Sequence, residues 1–178
     1  VTGTQASISL PAGVSHNLWT GALDAPRLIQ SAPDTDFEIE AKYDSVVSSK
    51  YQMQGLVAQQ DMLNFIRFDA FHDGGGTRLF AAKFSGGSAS LVKNSKVTIT
   101  GAVYLRLGRV GNAWSFDYSL DGENWQNFAS TNHTLNISDV GAFVGNHGTS
   151  ASNSPAFTGL LDYFFNTAAP IENEDGMV

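Results

Sequence analysis

Asp36, Glu38 and Glu40 alternate along Asp36-Phe37-Glu38-Ile39-Glu40, so three carboxylates project from one side of an extended segment. Two carboxyl groups about 5 Å apart are what a retaining glycosidase uses. No apolar neighbour on that side would raise one pKa above the other, so the set reads first as the wet face of a sheet. A different chemistry is offered by Arg67, Asp69 and Phe71, which alternate within Asn64–His72, and by Tyr104 and Arg106 within Val103–Val110, with Asp117 on the following strand. Aromatic rings stack on the C–H faces of sugars, while guanidinium and carboxylate groups hydrogen-bond their hydroxyls in plane. Each charged pair taken alone is equally a cross-strand contact on a solvated face.

Three further residues stand apart from these sets. Trp19 lies in His16-Asn17-Leu18-Trp19-Thr20-Gly21 and serves either as an exposed stacking platform or as a plug at the end of the core. His147 follows Asn146 and precedes a Ser-rich loop, 149–154, that could rim a groove. Asp162 interrupts the apolar run Gly159-Leu160-Leu161-Asp162-Tyr163-Phe164-Phe165, so its carboxylate is either buried and paired or bound to calcium. Asp69, His72 and Asp73 are close in the chain, but Asp69 and His72 point to opposite faces of one strand, which argues against a shared ion. No G-x-S-x-G, H-E-x-x-H or phosphate loop is present, and Gly74-Gly75-Gly76 is a turn.

The elements that must position these residues are strands. Period-two patterns occupy Gln5–Leu10, Arg27–Gln30, Asp36–Asp44, Tyr51–Gln59, Asn64–His72, Thr77–Phe84, Leu91–Val92, Val97–Thr100, Val103–Val110, Ala113–Leu120, Trp125–Ala129, Val140–Asn146 and Pro155–Phe165. A symmetric turn at Gln60–Leu63 sets Val57 opposite Ile66, Gly55 opposite Phe68 and Met53 opposite Ala70 on the core face. It leaves Leu56, Arg67, Asp69, Phe65 and Phe71 on the other. Gly111-Asn112 is a two-residue hairpin signal; it pairs Leu105 with Tyr118, Leu107 with Phe116 and Arg106 with Asp117. Trp125 is expected to pack behind the Asp121-Gly122 turn as a structural residue.

Composition agrees with strands and turns. Gly, Ser, Thr and Asn make up 60 of the 178 residues, hydrophobic residues 42% and charged residues 15%, against about 25% charged in an average soluble domain. The formal net charge of −7 disfavours a nucleic-acid partner. No apolar run approaches the roughly 20 residues of a membrane helix. With zero Cys, disulfides, thiolate metal sites and a Cys nucleophile are all excluded. The expected architecture is an all-β, antiparallel two-sheet sandwich over 1–166, followed by an acidic linker stub at 167–178.

Ala25-Pro26-Arg27-Leu28-Ile29-Gln30, Asp36-Phe37-Glu38-Ile39-Glu40, Gly55-Leu56-Val57, Tyr104-Leu105-Arg106-Leu107, Tyr118-Ser119-Leu120-Asp121-Gly122, Val140-Gly141-Ala142-Phe143 and Leu161-Asp162-Tyr163-Phe164, in that order, resemble a concanavalin A-like jelly roll. The match is to the lectin-like kind appended to bacterial polysaccharide-degrading enzymes, similar also to the C-terminal domain of bacterial β-xylosidases. The resemblance spans about Ser7 to Asn166. It implies two curved antiparallel sheets, a face or end loops open to a glycan, and a structural calcium with Asp162 at the matching position. It supplies no catalytic pair, and the Glu-x-Asp-x-x-Glu spacing of the sandwich endoglucanases is not found here. A fold does not fix a function.

The leading expectation is a non-catalytic carbohydrate-binding module of a larger secreted or cell-surface bacterial protein. Its partners are a polysaccharide or oligosaccharide and neighbouring domains of the same chain, with no cofactor required for chemistry. Arg67, Asp69, Phe71, Tyr104, Arg106 and Asp117 line the expected site, with Trp19 and His147 at its rim. The alternatives are a glycoside hydrolase or polysaccharide lyase, for which Glu38, Glu40 and Asp69 are the acids to test, and a structural or adhesion module of a surface protein.

Overall fold

Alternation passes most directly into structure in the strand Phe37–Tyr43, where Phe37, Ile39, Ala41 and Tyr43 are buried and Glu38, Glu40 and Lys42 are half-buried on the opposite side. The computed structural model describes residues 5–148 and 150–167. Its strands in chain order are β1 (Ala6–Leu10), β2 (Leu18–Trp19), β3 (Ala22–Leu23), β4 (Arg27–Ser31), β5 (Phe37–Tyr43), β6 (Gln52–Gln59) and β7 (Phe65–His72). They continue with β8 (Thr77–Ser85), β9 (Ser88–Lys96), β10 (Val103–Val110), β11 (Ala113–Ser119), β12 (Gln126–Asn132), β13 (Asp139–Asn146) and β14 (Phe157–Asn166). Two six-stranded antiparallel sheets form. The first runs β1-β14-β5-β10-β11-β12, the second β4-β13-β6-β7-β8-β9, and β2 with β3 makes a small ribbon.

The main core lies between the sheets. Ile39, Ala41, Leu105, Leu107 and Phe116 of the first sheet meet Leu56, Ile66, Phe68, Ala70 and Leu79 of the second. A second apolar cluster covers the other face of the second sheet: Leu18, Met53, Val57, Phe65, Ala82, Phe84 and Phe143, with Trp19, Leu23, Phe71 and Phe80 against them. The second sheet is therefore apolar on both faces, and every residue of β6 is buried.

Double burial explains where strand reading fails. Gln59 pairs with Phe65 across a five-residue loop, because the Asp61 carboxylate accepts the backbone N–H groups of Leu63 and Asn64 and folds the chain one residue later than a symmetric turn would. A one-residue slip flips a whole strand. Leu56 and Ala58 point into the main core, whereas Met53, Gly55 and Val57 point outward beside Arg67 and Asp69. The Gly111-Asn112 hairpin holds the expected register: Leu105 opposes Tyr118, Arg106 opposes Asp117 and Leu107 opposes Phe116. The segment expected at Leu91–Val92 lies within the longer edge strand β9, whose one free side leaves it without a clean apolar alternation, and the segment expected at Val97–Thr100 is not a strand. Just past β14 the Thr167 N–H donates to the Glu38 carbonyl, continuing the β14–β5 contact by one residue. The rest of the expected tail, 168–178, lies outside the described residues.

The turn that leads to Trp125 is organised by Asp121. Its carboxylate accepts from the Ser119 hydroxyl, the Glu123 and Asn124 backbone N–H groups and the Asn124 side-chain amide. These donors, led by Asn124, hold the carboxyl well below the usual carboxylate range. A depressed folded pKa contributes stability above the unfolded value and loses it as pH falls through the folded one. Asp121→Ala should therefore lower Tm at pH 7, with the gap to the parent chain closing as pH drops below about 4. A gap that stays constant down to acid denaturation, followed by circular dichroism, would remove this carboxylate from the acid limb.

Candidate functional site

The candidate site sits on the outer face of the second sheet, the side turned away from the main core. Strand β7 projects Arg67, Asp69 and Phe71 there, β6 contributes Met53 and Gly55, and β8 contributes Phe80, which pairs directly with Asp69. The β2–β3 ribbon closes over one side. Leu18 is fully buried, and the Trp19 indole packs edge-on against Phe80 at 5.7 Å and Phe84 at 5.3 Å. Trp19 is thus partly plug and partly wall. A cavity of about 280 Å³ remains, lined by Asn17, Trp19, Tyr51, Met53, Arg67, Phe71, Phe80 and His147.

Arg67 is the polar centre of this pocket. It is 4% exposed; its Nε donates to Asp69 Oδ1 at 2.8 Å and its Nη1 to the Leu18 carbonyl at 2.6 Å. Its guanidinium lies between the rings of Phe80 and Phe143, 5.3 and 5.1 Å from their centroids. These four neighbours fix its plane, so it meets a ligand pre-oriented. Asp69 is fully buried, and its second oxygen has no hydrogen-bond partner among the described residues. Burial raises its pKa, with Arg67 pulling it back down.

The rim is shaped by two strand ends. Tyr51 adopts a left-handed backbone conformation at φ 69°, which a non-glycine residue rarely takes. Its carbonyl accepts the His147 backbone N–H, and the His147 ring tilts against its phenol at 5.5 Å. Ser15 hydrogen-bonds His147 Nδ1 at 3.0 Å and orients the imidazole.

Tyr104, Arg106 and Asp117 do not join this site. They lie on the outer face of the first sheet, on the opposite side of the sandwich, because their neighbours Leu105, Leu107 and Phe116 point into the core. Arg106 also passes over its partner Asp117. It donates to Glu40 from Nη2 at 2.6 Å, approaches Glu38 at 3.2 Å, and lays its guanidinium 3.7 Å above the Trp125 ring. Trp125 is therefore a platform for Arg106 rather than a plug behind the turn. Asp117 accepts from Asn127 instead. Glu40 also receives a short hydrogen bond from Tyr163. Both glutamates are engaged with one guanidinium, and Asp69 is across the sandwich, so the three acids of the hydrolase alternative do not meet.

The calcium implied by the resemblance does not fit the residues around Asp162. Its carboxylate lies 2.7 Å from Lys42 Nζ, which also reaches Asp44 at 3.1 Å. The ammonium stands where a cation would. Among the described residues no three His, Cys, Asp or Glu side chains gather in a metal-binding group.

Of the pocket's lining, the sequence reading missed Asn17, Tyr51, Met53 and Phe80. One signal was available: pairing outward from the Gly74-Gly75-Gly76 turn sets Phe80 across from Asp69, on the outward face.

Comparison with known proteins supplies the context. Among curated proteins none is similar enough in sequence to count as a relative. The GH43 BlXynB protein from Bacillus licheniformis superimposes with a TM-score of 0.76 at 14% identity, over 93% of this chain and 33% of that one. The xylan β-1,4-xylosidase from Bacillus halodurans gives 0.71 at 16%, over 91% and 32%. A functionally unknown protein from Saccharomyces cerevisiae gives 0.71 at 10%, over 93% and 89%. The chain thus spans about a third of the length of the two Bacillus structures, and at these identities the likeness is one of fold. The sequence profile of the β-xylosidase C-terminal concanavalin A-like domain matches residues 24–159, most of the chain. The two-sheet sandwich and this profile agree: the chain belongs to the β-xylosidase C-terminal concanavalin A-like domain family.

Proposed function

We propose that this chain is a non-catalytic carbohydrate-binding module of a larger glycoside hydrolase, and that it holds a saccharide in the pocket on the outer face of the second sheet. The observation that carries this reading is the pocket itself. Aromatic rings from Trp19, Tyr51, Phe71 and Phe80 surround a buried guanidinium whose direction is set by Asp69 and the Leu18 carbonyl. Rings take the apolar faces of a pyranose, and Arg67, Asn17 and His147 take its hydroxyls. None of the lining residues is acidic, so the pocket has no carboxylate pair for hydrolysis. Individual contacts in such a site need be only millimolar to micromolar, because tethering to a neighbouring domain multiplies them.

The similarity to a xylan β-1,4-xylosidase makes xylo-oligosaccharides the first probes. Titration of the domain by calorimetry or NMR should show binding that falls roughly ten-fold in Trp19→Ala, a loss of about 1.4 kcal/mol, with circular dichroism unchanged. No response to a panel of neutral and acidic oligosaccharides, or an unchanged affinity in Trp19→Ala, would overturn the reading.

A further inference from the structure

The outer face of the first sheet carries a trough that the pocket reading does not use. Register places Glu38 beside Gly108, Gly108 beside Ser115 and Ser115 beside Ser130, a row across β5, β10, β11 and β12 whose side chains are short or absent at every position but the first. Three strand spacings give this row a length of about 14 Å. Gly108 keeps the floor low: a Cβ there would stand 2.6 Å from the Ser115 hydroxyl, which lies across it. One wall is the taller row Glu40, Arg106, Asp117 and Asn127, stiffened by the stacking of Arg106 on Trp125. The other is formed by Val110, Ala113 and Asn132 with Asp36 at the end. The open space between Glu38, Gly108, Ser115 and Ser130 on one side and Asp36, Val110, Ala113 and Asn132 on the other is about 690 Å³, more than twice that of the pocket on the opposite face.

The chemistry of the lining points to an uncharged ligand. Ser115, Ser130 and Asn132 offer hydroxyl and amide groups. The charged groups are already engaged: Glu38 faces Arg106, Asp36 accepts the Gly111 N–H, and Arg109 is paired with Asp34. An anionic polymer would meet carboxylates along the trough, and a cationic one would have to displace Arg106 from Glu38. A cross-strand channel open at the sheet's β12 edge fits a linear chain passing through rather than a closed small molecule.

We propose that this trough is a second saccharide site, which takes an internal stretch of a neutral linear polysaccharide independently of the pocket. The test compares the parent chain with Ser130→Tyr, which fills the trough from an exposed position on the edge strand, and with Trp19→Ala in the pocket. Retention on insoluble xylan and on insoluble neutral glucan reads the trough, and titration with xylotriose reads the pocket. Ser130→Tyr is expected to weaken retention on at least one polymer about ten-fold while leaving the xylotriose titration unchanged. The double variant should lose both. Circular dichroism and Tm equal to the parent exclude unfolding, and Asn132→Ala is the second variant should Ser130→Tyr fold poorly. A folded trough variant that keeps parental retention overturns the proposal, as does retention abolished by Trp19→Ala alone. Binding of polylysine that Ser130→Tyr removes, with polysaccharide retention intact, overturns it in favour of a cationic peptide. Failure of the xylotriose titration alone sinks the pocket reading and leaves the retention comparison standing.

Discussion

Arg67→Ala should destabilise the domain by about 3–5 kcal/mol, because it strands a buried carboxylate without its counter-charge. The Asp69 side chain is fully buried, one oxygen accepts from Arg67 and the other has no partner, so no rearrangement to solvent is open to it. Urea denaturation followed by fluorescence measures the loss. Removing both charges with Arg67→Met and Asp69→Asn should return most of the stability, since an uncharged pair of similar volume avoids the desolvation cost. Saccharide binding should stay lost in both variants, because the oriented guanidinium is gone. The double variant therefore separates the two roles of Arg67: recovery of stability without binding supports the site, and recovery of both would assign Arg67 to folding alone. A cost below about 1 kcal/mol for Arg67→Ala, the range of an exposed ion pair, would contradict the burial of the pair.

Gly55→Ala carries the second large effect. A Cβ at this position would lie 2.2 Å from the Phe68 carbonyl oxygen and 2.5 Å from Asp69 Cβ, on a central strand held between β13 and β7. The obstacles are backbone and the root of a side chain, neither of which can swing aside. Overpacking of this kind costs about 3 kcal/mol or more, which for a chain of this size lowers Tm by roughly 6–12 °C. The displacement falls on Asp69, so the ion pair with Arg67 should loosen and the pocket weaken with it. Gly101→Ala is the control: a Cβ there meets nothing within 4 Å, and its Tm should match the parent or rise slightly. Equal melting temperatures for the two alanine variants would show that β6 and β7 have room to separate.

Legibility followed the number of faces each strand buries. Phe37–Tyr43 buries one face, so its alternation states its orientation outright, and the two-residue Gly111-Asn112 turn fixed Arg106 opposite Asp117 without ambiguity. Strand β6 buries both faces, so Gly55 to Ala58 has no polar phase to read, and the five-residue Asp61 loop shifted its register unseen. The β2–β3 ribbon is too short for any period. It exists because Leu18 and Trp19 have an apolar sheet face to cover.

The site divides along the same line. Strands, turns, an antiparallel sandwich, the family resemblance and the outward alternation of Arg67, Asp69 and Phe71 were all written in local patterns, because strand periodicity and turn chemistry depend on near neighbours. Which face meets which did not follow from any local pattern. Arg67 and Arg106 carry the same chemistry on the same kind of strand, yet they stand on opposite sides of the molecule because β7 and β10 belong to different sheets. The pocket needed Trp19, Tyr51, Phe80 and His147 brought from four separate stretches of chain, and Asp162 met Lys42 from β5. Sequence determined what each strand could offer. Only the stacking of the two sheets, driven by apolar area that no single strand could bury alone, decided which offers share a site.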